Sequence, residues 1–437
     1  MRYNQSILLF PRDLTRTEIT GEKLSMSKLE RNWILYDVGN SAFVLLTSTI
    51  IPIYFKNLAA ADGISNAAST AYWGYASSIS TMIIAILGPI LGTVGDLRGY
   101  KKALFLIFMA IGAAGCLALA LPVGWLAFLG LYIIGKSGFS GSLIFYDAML
   151  PDITSEERVD RVSSHGYAWG YIGSCIPFVI CLGLILTADG TGLGAAAATQ
   201  LAFLITALWW ILCTVPLMGS YRQVYALESG GRPVRESLSR LWHTLTHVQK
   251  HKSVFTFLIA FFLYIDGVYT IIAMATSYGK DVGISDHNLL LALLLTQVVA
   301  FPFAILFARL TKKFEATKLI SAAIIGYLAI TLFAFQLDKA WEFWLLAVCV
   351  AVFQGGIQAL SRSYFARIVP KEKANEFFGI FDIFGKGAAF FGMLLMSVIT
   401  QITGHSRFGV LGLAVLFGVG LWALRHHVCE SKKAQAF

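Results

Sequence analysis

Several charged and amide side chains of this chain lie inside long apolar stretches, where such groups are rare. A charged side chain at the centre of a bilayer costs about 3 kcal/mol on insertion scales, so it is expected to have a counter-charge or a functional role. Each of these groups is therefore predicted to bind a polar solute, to carry a proton, or to pair with an opposite charge. The groups are Asp37, Lys136, Asp266, Gln354, Gln358 and Arg362.

Asp266 lies about 13 residues, or about 20 Å at the rise of an α-helix, into its apolar stretch. This depth corresponds to the middle of a membrane, and Tyr269 shares its helical face. The position predicts a proton-coupling site or a site for the amine of a substrate. The alternative is an acid that pairs with a donor of a neighbouring helix, such as Lys136, for packing alone.

Asp37 lies about one turn inside its apolar stretch, and its polar face continues through Asn40. Two interpretations are open: a gate residue that meets a cation such as Arg362, or an acid near a helix start that the helix dipole stabilises. Gln354 and Gln358 precede Arg362 at intervals of four residues, so the three share one helical face. Because lipid would not tolerate that face, we expect it to point inward and its amides to bind the solute.

Composition and segment length predict the elements that carry these groups. The 437 residues are 57% hydrophobic and 14% charged, with a mean hydropathy of +0.69, which is more apolar sequence than a soluble core of this length buries. A spanning helix needs about 20 apolar residues. The sequence therefore predicts an all-α integral membrane protein. Twelve segments qualify: 33–55, 71–94, 103–121, 125–146, 164–187, 197–218, 254–278, 288–309, 317–336, 342–364, 377–400 and 407–425.

Lysine and arginine residues alternate between the connections of these segments. They are frequent in the N-terminal tail and in every second connection after it, and almost absent from the others. By the positive-inside rule both termini are cytoplasmic, so the number of spans is even. The net charge of +9 therefore indicates the cytoplasmic loops of a multi-pass protein of the cell (inner) membrane and not a nucleic-acid partner.

The two halves of the chain repeat one another. Tyr, Asp and Gly lie close together in residues 33–43 and again in residues 261–270. A polar connection at the midpoint separates the halves and carries a predicted amphipathic helix on the cytoplasmic surface. The predicted domains are a cytoplasmic tail (1–32), a six-helix bundle (33–220), the central loop (221–252), a second six-helix bundle (253–426) and a second cytoplasmic tail (427–437).

The connection after the second segment resembles the signature loop of the major facilitator superfamily, G-x-x-x-D-(R/K)-x-G-(R/K)-(R/K). The matching residues are Gly92, Asp96, Gly99 and Lys101. The chain departs from the pattern at Leu97 and Tyr100, where a basic residue is usual. The resemblance implies a cytoplasmic latch whose ionic contacts shift to Arg98 and Lys102. It also implies the fold of that superfamily, with twelve transmembrane helices in two six-helix bundles.

Within that superfamily the chain resembles the UMF group, which is related to the fungal autophagy-linked vacuolar amino-acid effluxers. The motifs that carry the resemblance are Trp33 to Phe43 with Pro52 to Phe55, Tyr146 to Pro151, Gly166 to Gly173, Asp266-Gly267, and Gly355 to Arg362 running on to Phe378-Gly379. These motifs are spread over most of the chain. The resemblance implies a transporter of small molecules, with export of amino acids as the first candidate.

Together these features predict a secondary transporter that moves a small polar solute by alternating access. We expect it to be coupled to a proton through Asp266 or Asp37 and to act as a monomer in the lipid bilayer without cofactor or metal. Two alternatives with the same fold are an exporter of lipids or amphiphiles and a sensor or scaffold that has lost transport. An enzyme is not predicted, because the sequence lacks a nucleophile elbow, a phosphate loop and clustered His and Asp motifs.

Overall fold

The computed structural model describes residues 25–228, 239, 241, 242, 244, 251–281, 286–337 and 339–436. Nearly all of these residues lie in α-helices, and the β-structure among them is a parallel bridge between Leu97 and Leu227. Helices suit apolar surroundings because they satisfy their backbone hydrogen bonds internally. The amphipathic helix predicted for the central loop falls mostly outside the described residues.

The first half of the chain begins with a span in two parts. Thr49 separates α1 from α2, and together they make one candidate span, Lys28–Ala61. The helices of this half are α1 (Lys28–Ser48), α2 (Ile50–Ala61), α3 (Asn66–Gly95), α4 (Tyr100–Ala118), α5 (Trp125–Ala148), α6 (Leu150–Ile153), α7 (Val159–Thr191) and α8 (Ala195–Ser220).

The second half has one helix for each predicted segment. The helices are α9 (Lys252–Asp281), α10 (Asp286–Leu310), α11 (Ala316–Phe335), α12 (Ala340–Ile368), α13 (Ala374–Thr403) and α14 (Ser406–Ala436). A short 3-10 turn, Lys371–Lys373, joins α12 to α13.

The described part of the chain holds 11 helical stretches long and apolar enough to cross a membrane, and α13 adds a further helix of 30 residues. Together they match the twelve predicted segments in order, so the predicted all-helical membrane fold is confirmed. Many of the helices run past the predicted ends, because apolar composition marks the lipid-facing part of a helix and not its caps.

Helix α1 begins at a capping box. The hydroxyl of Ser27 accepts the N–H of Glu30 at 3.1 Å, and the carboxylate of Glu30 accepts the N–H of Ser27 at 2.7 Å. These bonds satisfy donors that a helix start leaves free. Arg158 pairs with Glu30 at 2.6 Å, which ties the start of α1 to the loop before α7.

The helices pack as two bundles of six spans. In the first bundle α1 packs against α7 and α8, and α4 packs against α5. In the second bundle α9 packs against α13 and α14, and α10 packs against α12. The bundles meet along two main seams, where α13 lies against α3 and α10 lies against α7. The space between these seams holds the candidate site.

The repeat has a structural counterpart in the two bundles. Tyr36 of α1 hydrogen-bonds Ser142 of α5 at 2.7 Å, and Tyr264 of α9 hydrogen-bonds Ser361 of α12, also at 2.7 Å. The first and fourth spans of each bundle are therefore joined by the same pair of groups.

The two acids of the repeat are not equivalent when the bundles are compared through these tyrosines. Asp37 follows Tyr36 directly, whereas Asp266 comes two positions after Tyr264. One residue turns a side chain by about 100° around an α-helix. Asp266 therefore corresponds to Val38 and faces a different side of its helix from Asp37.

Candidate functional site

A cavity of about 620 Å³ lies between the two bundles and is lined by helices of both. It extends from the gate residues described below to Val44 and Ser48, which are exposed. Asp266 is not among its lining residues. The predicted candidates that line it are Asp37, Asn40, Lys136, Tyr269, Gln354, Gln358 and Arg362.

Arg362 reaches from the second bundle into the first at one end of this cavity. Its guanidinium lies 3.0 Å from Asp147 Oδ1 and 3.4 Å from Asp37 Oδ2. It also donates to the hydroxyl of Ser163 at 2.9 Å and to the carbonyl oxygen of Ser163 at 3.0 Å. All of these acceptors belong to the first bundle. We call Arg362, Asp37 and Asp147 the gate cluster.

Aromatic rings enclose the same guanidinium. Its carbon lies 4.7 Å from the centre of the Trp33 ring, 4.4 Å from that of Tyr167 and 5.7 Å from that of Tyr146. Arg362 is only 3% exposed. Because a desolvated cation over an aromatic face gains up to about 2 kcal/mol, stacking adds to the charge pairing that holds this side chain.

A glycine of α7 leaves room for the gate cluster. A Cβ at Gly166 would lie 2.6 Å from Asp37 Oδ2 and 3.0 Å from Arg362 Nη2. A side chain at this position would therefore displace the acid or the guanidinium. The close contact of α7 with α1 depends on this absent Cβ.

A second set of contacts closes the same end nearer to the surface. Arg367 of α12 pairs with Asp160 of α7. Lys371 pairs with Glu156 at 2.7 Å, and the hydrogen bond from Lys371 lowers the pKa of Glu156. We call this end of the molecule the basic end; it comprises residues 96–102, 150–161 and 367–376.

Asp96 contacts the start of α13 at the basic end. Its Oδ1 accepts the backbone and side-chain N–H groups of Asn375, both at 2.8 Å, and its Oδ2 accepts the N–H of Glu376 at 3.0 Å. A helix start leaves these donors free, and its dipole favours a carboxylate. Burial raises the pKa of Asp96 to about 7. A Cβ at Gly92 would overlap the carbonyl oxygen of Asn375, so α3 and α13 are in close contact here.

Two lysines of the predicted latch point back into the first bundle. Lys101 is 1% exposed and pairs with Asp152 at 2.7 Å. Asp152 also accepts the hydroxyl of Tyr221 at 2.5 Å. Lys102 donates to the carbonyl oxygen of Tyr221 at 3.3 Å. The buried ion pair of this loop is therefore made by Lys101.

The first residues of the central loop, 221–228, lie across the latch, and we call them the linker strap. The N–H of Gly99 donates to the side chain of Gln223 at 2.9 Å. Arg98 pairs with Glu228 at 2.6 Å, and both side chains are exposed. The partner of Arg98 is thus the linker strap and not the second bundle.

Lys136 lies on the α5 side of the cavity, away from the gate cluster. Within the described residues, no carboxylate is within ion-pair distance of its amine. The structure does not bring Lys136 and Asp266 together. On the opposite side of the cavity, Gln358 of α12 donates to the hydroxyl of Tyr171 at 3.4 Å.

Asp266 is fully buried between α9 and α13. Its Oδ1 accepts the N–H of Gly392 at 2.8 Å and the hydroxyl of Thr270 at 3.5 Å. Its Oδ2 has no hydrogen-bond partner within the described part of the chain. The equivalent side chain in the first bundle, Val38, packs on α7 in the same way. The carboxylate thus lies at a helix contact, outside the cavity.

Three polar side chains of α7 meet the site and are not among the predicted candidates. Ser163 and Tyr167 contact Arg362, and Tyr171 lines the cavity. They recur at intervals of four residues, which is the spacing of one helical face. That spacing in the sequence is a usable signal. Gln297 of α10 also lines the cavity, without a local pattern that indicates it.

The arrangement is suited to binding and release. Its charged groups pair across the two bundles, and its amides and hydroxyls can hydrogen-bond a solute. The described residues contain no group of three or more His, Cys, Asp or Glu side chains that could hold a metal ion.

A polar cavity between two six-helix bundles, closed at one end by charge pairs, defines a membrane transporter of the major facilitator superfamily. The fold matches the human organic anion transporter MFSD10 (TETRAN) with a TM-score of 0.69 and 15% identity, over 91% of this chain and 99% of that one. It matches FucP, a superfamily transporter solved in the outward conformation, with a TM-score of 0.68 and 16% identity, over 92% and 97% of the two chains.

The chain belongs to the family of Atg22-like vacuole effluxers, whose model matches residues 27–436. The uncharacterized MFS-type transporter YxiO of Bacillus subtilis is 45% identical over 400 residues, which cover 90% of this chain and 94% of that protein. Autophagy-related protein 22 of Saccharomyces cerevisiae is 24% identical, over 86% of this chain and 87% of that protein. The predicted resemblance to the superfamily and to the autophagy-linked effluxers is confirmed.

Proposed function

We propose that this protein is a secondary active transporter that moves a small polar solute across the cell (inner) membrane by alternating access. The observation that carries the proposal is the contact of Arg362 with Asp37 and Asp147, which joins the two bundles at one end of a polar cavity. Such a contact closes one side of the membrane and must separate when the bundles rock.

The basic loops support an assignment of sides. The Lys- and Arg-rich connections lie at the end that the gate cluster closes, and the positive-inside rule puts such connections in the cytoplasm. In this assignment both termini are cytoplasmic. The cavity in the present arrangement then opens outward.

The charge of the gate cluster supports proton coupling. Two carboxylates face one guanidinium, so the cluster carries one negative charge in excess when both acids are ionised. Opening the gate strips Asp37 and Asp147 of their cation, which is costly in apolar surroundings. A proton taken up by one acid removes the excess charge. Both acids line the cavity. Asp37 is the proposed acceptor because its contact with Arg362 is the longer of the two, 3.4 Å against 3.0 Å for Asp147, and Asp266 is a second proposed proton site away from the solute.

The polar lining supports a solute with several hydrogen-bonding groups. Gln354 and Gln358 offer amides, and Tyr171 and Tyr269 offer hydroxyls. Export of amino acids is the first candidate, because the family model is described as a vacuole effluxer and because of the resemblance to amino-acid effluxers.

An apolar side pocket favours a second candidate, an exporter of amphiphiles. A pocket of about 80 Å³ lies inside the second bundle and adjoins the main cavity at Ile272, Leu293 and Gln354. Its other lining is mostly apolar, made of Leu, Ile, Val, Phe, Ala and Met side chains. A solute with a polar head and a short apolar tail would use both spaces.

Flux into proteoliposomes tests the proposal. Purified protein is reconstituted, and uptake of radiolabelled amino acids and of short-chain amphiphiles is measured with and without a pH gradient. We expect saturable flux of at least one solute, accelerated by the gradient and lost in Arg362→Gln. Flux that does not depend on the pH gradient would refute proton coupling. Flux of amphiphiles alone would favour the second candidate.

A further inference from the structure

Lys136 brings an amine into the cavity, and no acidic side chain of the described residues pairs with it. A second basic side chain in the described lining of the cavity, Arg362, is held by two carboxylates. An ammonium group inside a membrane is stable only with a counter-charge or with water. The amine of Lys136 therefore offers a free binding position for an anion.

The gate cluster is too far away to serve as the partner of Lys136. Asp147 lies on the same helix, and the separation of 11 positions corresponds to about 16 Å along α5. Ionic attraction at that distance is weak across a space that is open to solvent, and this cavity reaches the exposed residues Val44 and Ser48. The positive position at Lys136 and the negative excess at the gate cluster are thus separate features of one cavity.

The neighbouring hydroxyls form pairs with one another. Ser77 of α3 pairs with Tyr132 of α5 at 3.2 Å, and Ser80 of α3 pairs with Ser137 of α5 at 3.2 Å. These pairs fix α3 against α5 on both sides of Lys136. Tyr132 and Ser137 lie on either side of Lys136 along α5, and neither pair contains an acid.

We propose that Lys136 binds the single negatively charged group, a carboxylate, of the transported solute. This inference rests on the proposed function and adds a residue that selects the solute. Among the described residues that line the cavity, Lys136 is the basic side chain without an acidic partner, and it matches one negative charge, whereas a phosphate dianion would call for more. The amide-lined volume of about 620 Å³ is far more than a halide ion would fill, which favours the carboxylate of an organic molecule.

Ligand-induced thermal stabilisation tests the inference without any need for transport. The probes are the common L-amino acids, each compared with its own carboxamide, together with sodium lactate and with chloride against gluconate. The proteins are wild type, Lys136→Met, Lys136→Arg and a control, Lys312→Met, which removes an exposed lysine of the loop after α10. Size-exclusion profiles select the variants that are folded.

We expect at least one carboxylate probe to raise the melting temperature of wild type and of Lys312→Met, while its carboxamide does not. Its affinity should fall at least tenfold in Lys136→Met and recover in Lys136→Arg. Equal affinity in Lys136→Met, or equal affinity for acid and amide, would overturn the inference. It would also fall if no carboxylate stabilised wild type, or if chloride alone did so.

The two proposals fail separately. Stabilisation by a carboxylate that depends on Lys136, without any flux of that solute in proteoliposomes, would support the proposed binding site and refute the proposed transport function. Flux that is the same in wild type and Lys136→Met would support the proposed transport function and refute the proposed role of Lys136.

Discussion

Arg362 Nη2 lies 3.4 Å from Asp37 Oδ2, although the two residues are 325 positions apart and belong to different bundles. Both side chains line the same cavity. In the proposed transport cycle this contact exists only while the basic end is closed, and its rupture would expose charges that are now buried.

Removal of the guanidinium should destabilise the protein. In Arg362→Gln, Asp37 and Asp147 are left as buried carboxylates without a cation, which costs about 3 kcal/mol or more. We expect a marked fall in the melting temperature of the purified protein. The companion variant Arg362→Gln with Asp147→Asn, which also removes one of the stranded charges, should recover part of the loss. Equal melting temperatures of the single and double variants would contradict a charge-based gate.

A methyl group beside the gate should have a similar effect without any change of charge. The Cβ of Gly166→Ala would press on Asp37 and Arg362, and overpacking of this kind costs about 1–3 kcal/mol. Gly183→Ala is the matched control, because Gly183 lies on the same helix and its Cβ would meet nothing within 4 Å. Gly183→Ala should be neutral or slightly stabilising. Equal effects of the two substitutions on the melting temperature would refute this account of the packing.

The contact of Asp96 with α13 should depend on pH. In the closed arrangement the pKa of Asp96 is about 7, whereas an exposed aspartate has a pKa of about 3.9. The closed arrangement therefore holds a proton more tightly than any arrangement that exposes Asp96. The contribution of the Asp96 contact to the stability of the closed arrangement is fully present below about pH 4 and is lost as the pH rises through about 7.

Comparison with Asp96→Asn isolates this effect, because asparagine does not titrate. We expect the melting temperature of wild type to fall relative to that of Asp96→Asn between about pH 5.5 and about pH 8. A difference between the two proteins that stays constant over this range would show that Asp96 does not titrate there.

The linker strap should loosen when its buried anchor is removed. Asp152 accepts the N–H groups of Val224 and Tyr225 and pairs with Lys101. In Asp152→Asn we expect amide hydrogen exchange of residues 221–228 to accelerate, by about tenfold or more for each 1.4 kcal/mol of lost contact. Arg98→Gln, which removes only the exposed pair with Glu228, should have little effect. Faster hydrogen exchange of these residues in Arg98→Gln than in Asp152→Asn would contradict the role of Asp152.

Most of the fold could be predicted from the sequence, because the features that determine it are local. Length and hydropathy determine a spanning helix, and the alternation of basic loops determines an even number of spans. The polar face of Gln354, Gln358 and Arg362 could be predicted as inward-facing for the same reason, since lipid excludes it. The cavity in the structure is lined by all three.

The true relation between Asp37 and Asp266 could not be predicted from the sequence and became visible only in the structure. The sequence aligns the two as matching acids, yet a shift of one position turns Asp266 away from the cavity and toward Gly392. A helix converts such a shift into a rotation of about 100°, and apolar composition alone does not fix the rotation of a helix. The second acid of the gate, Asp147, acquires its partner only through the packing of distant spans.

One distance measurement tests the central claim, that the gate cluster holds the basic end closed. Spin labels at Ser155 and Glu372, which are exposed on opposite bundles, report the width of that end in a background without the six native cysteines. The account predicts one short distance for wild type and an added population of clearly longer distances for Arg362→Gln. The same single distance in both proteins would contradict it.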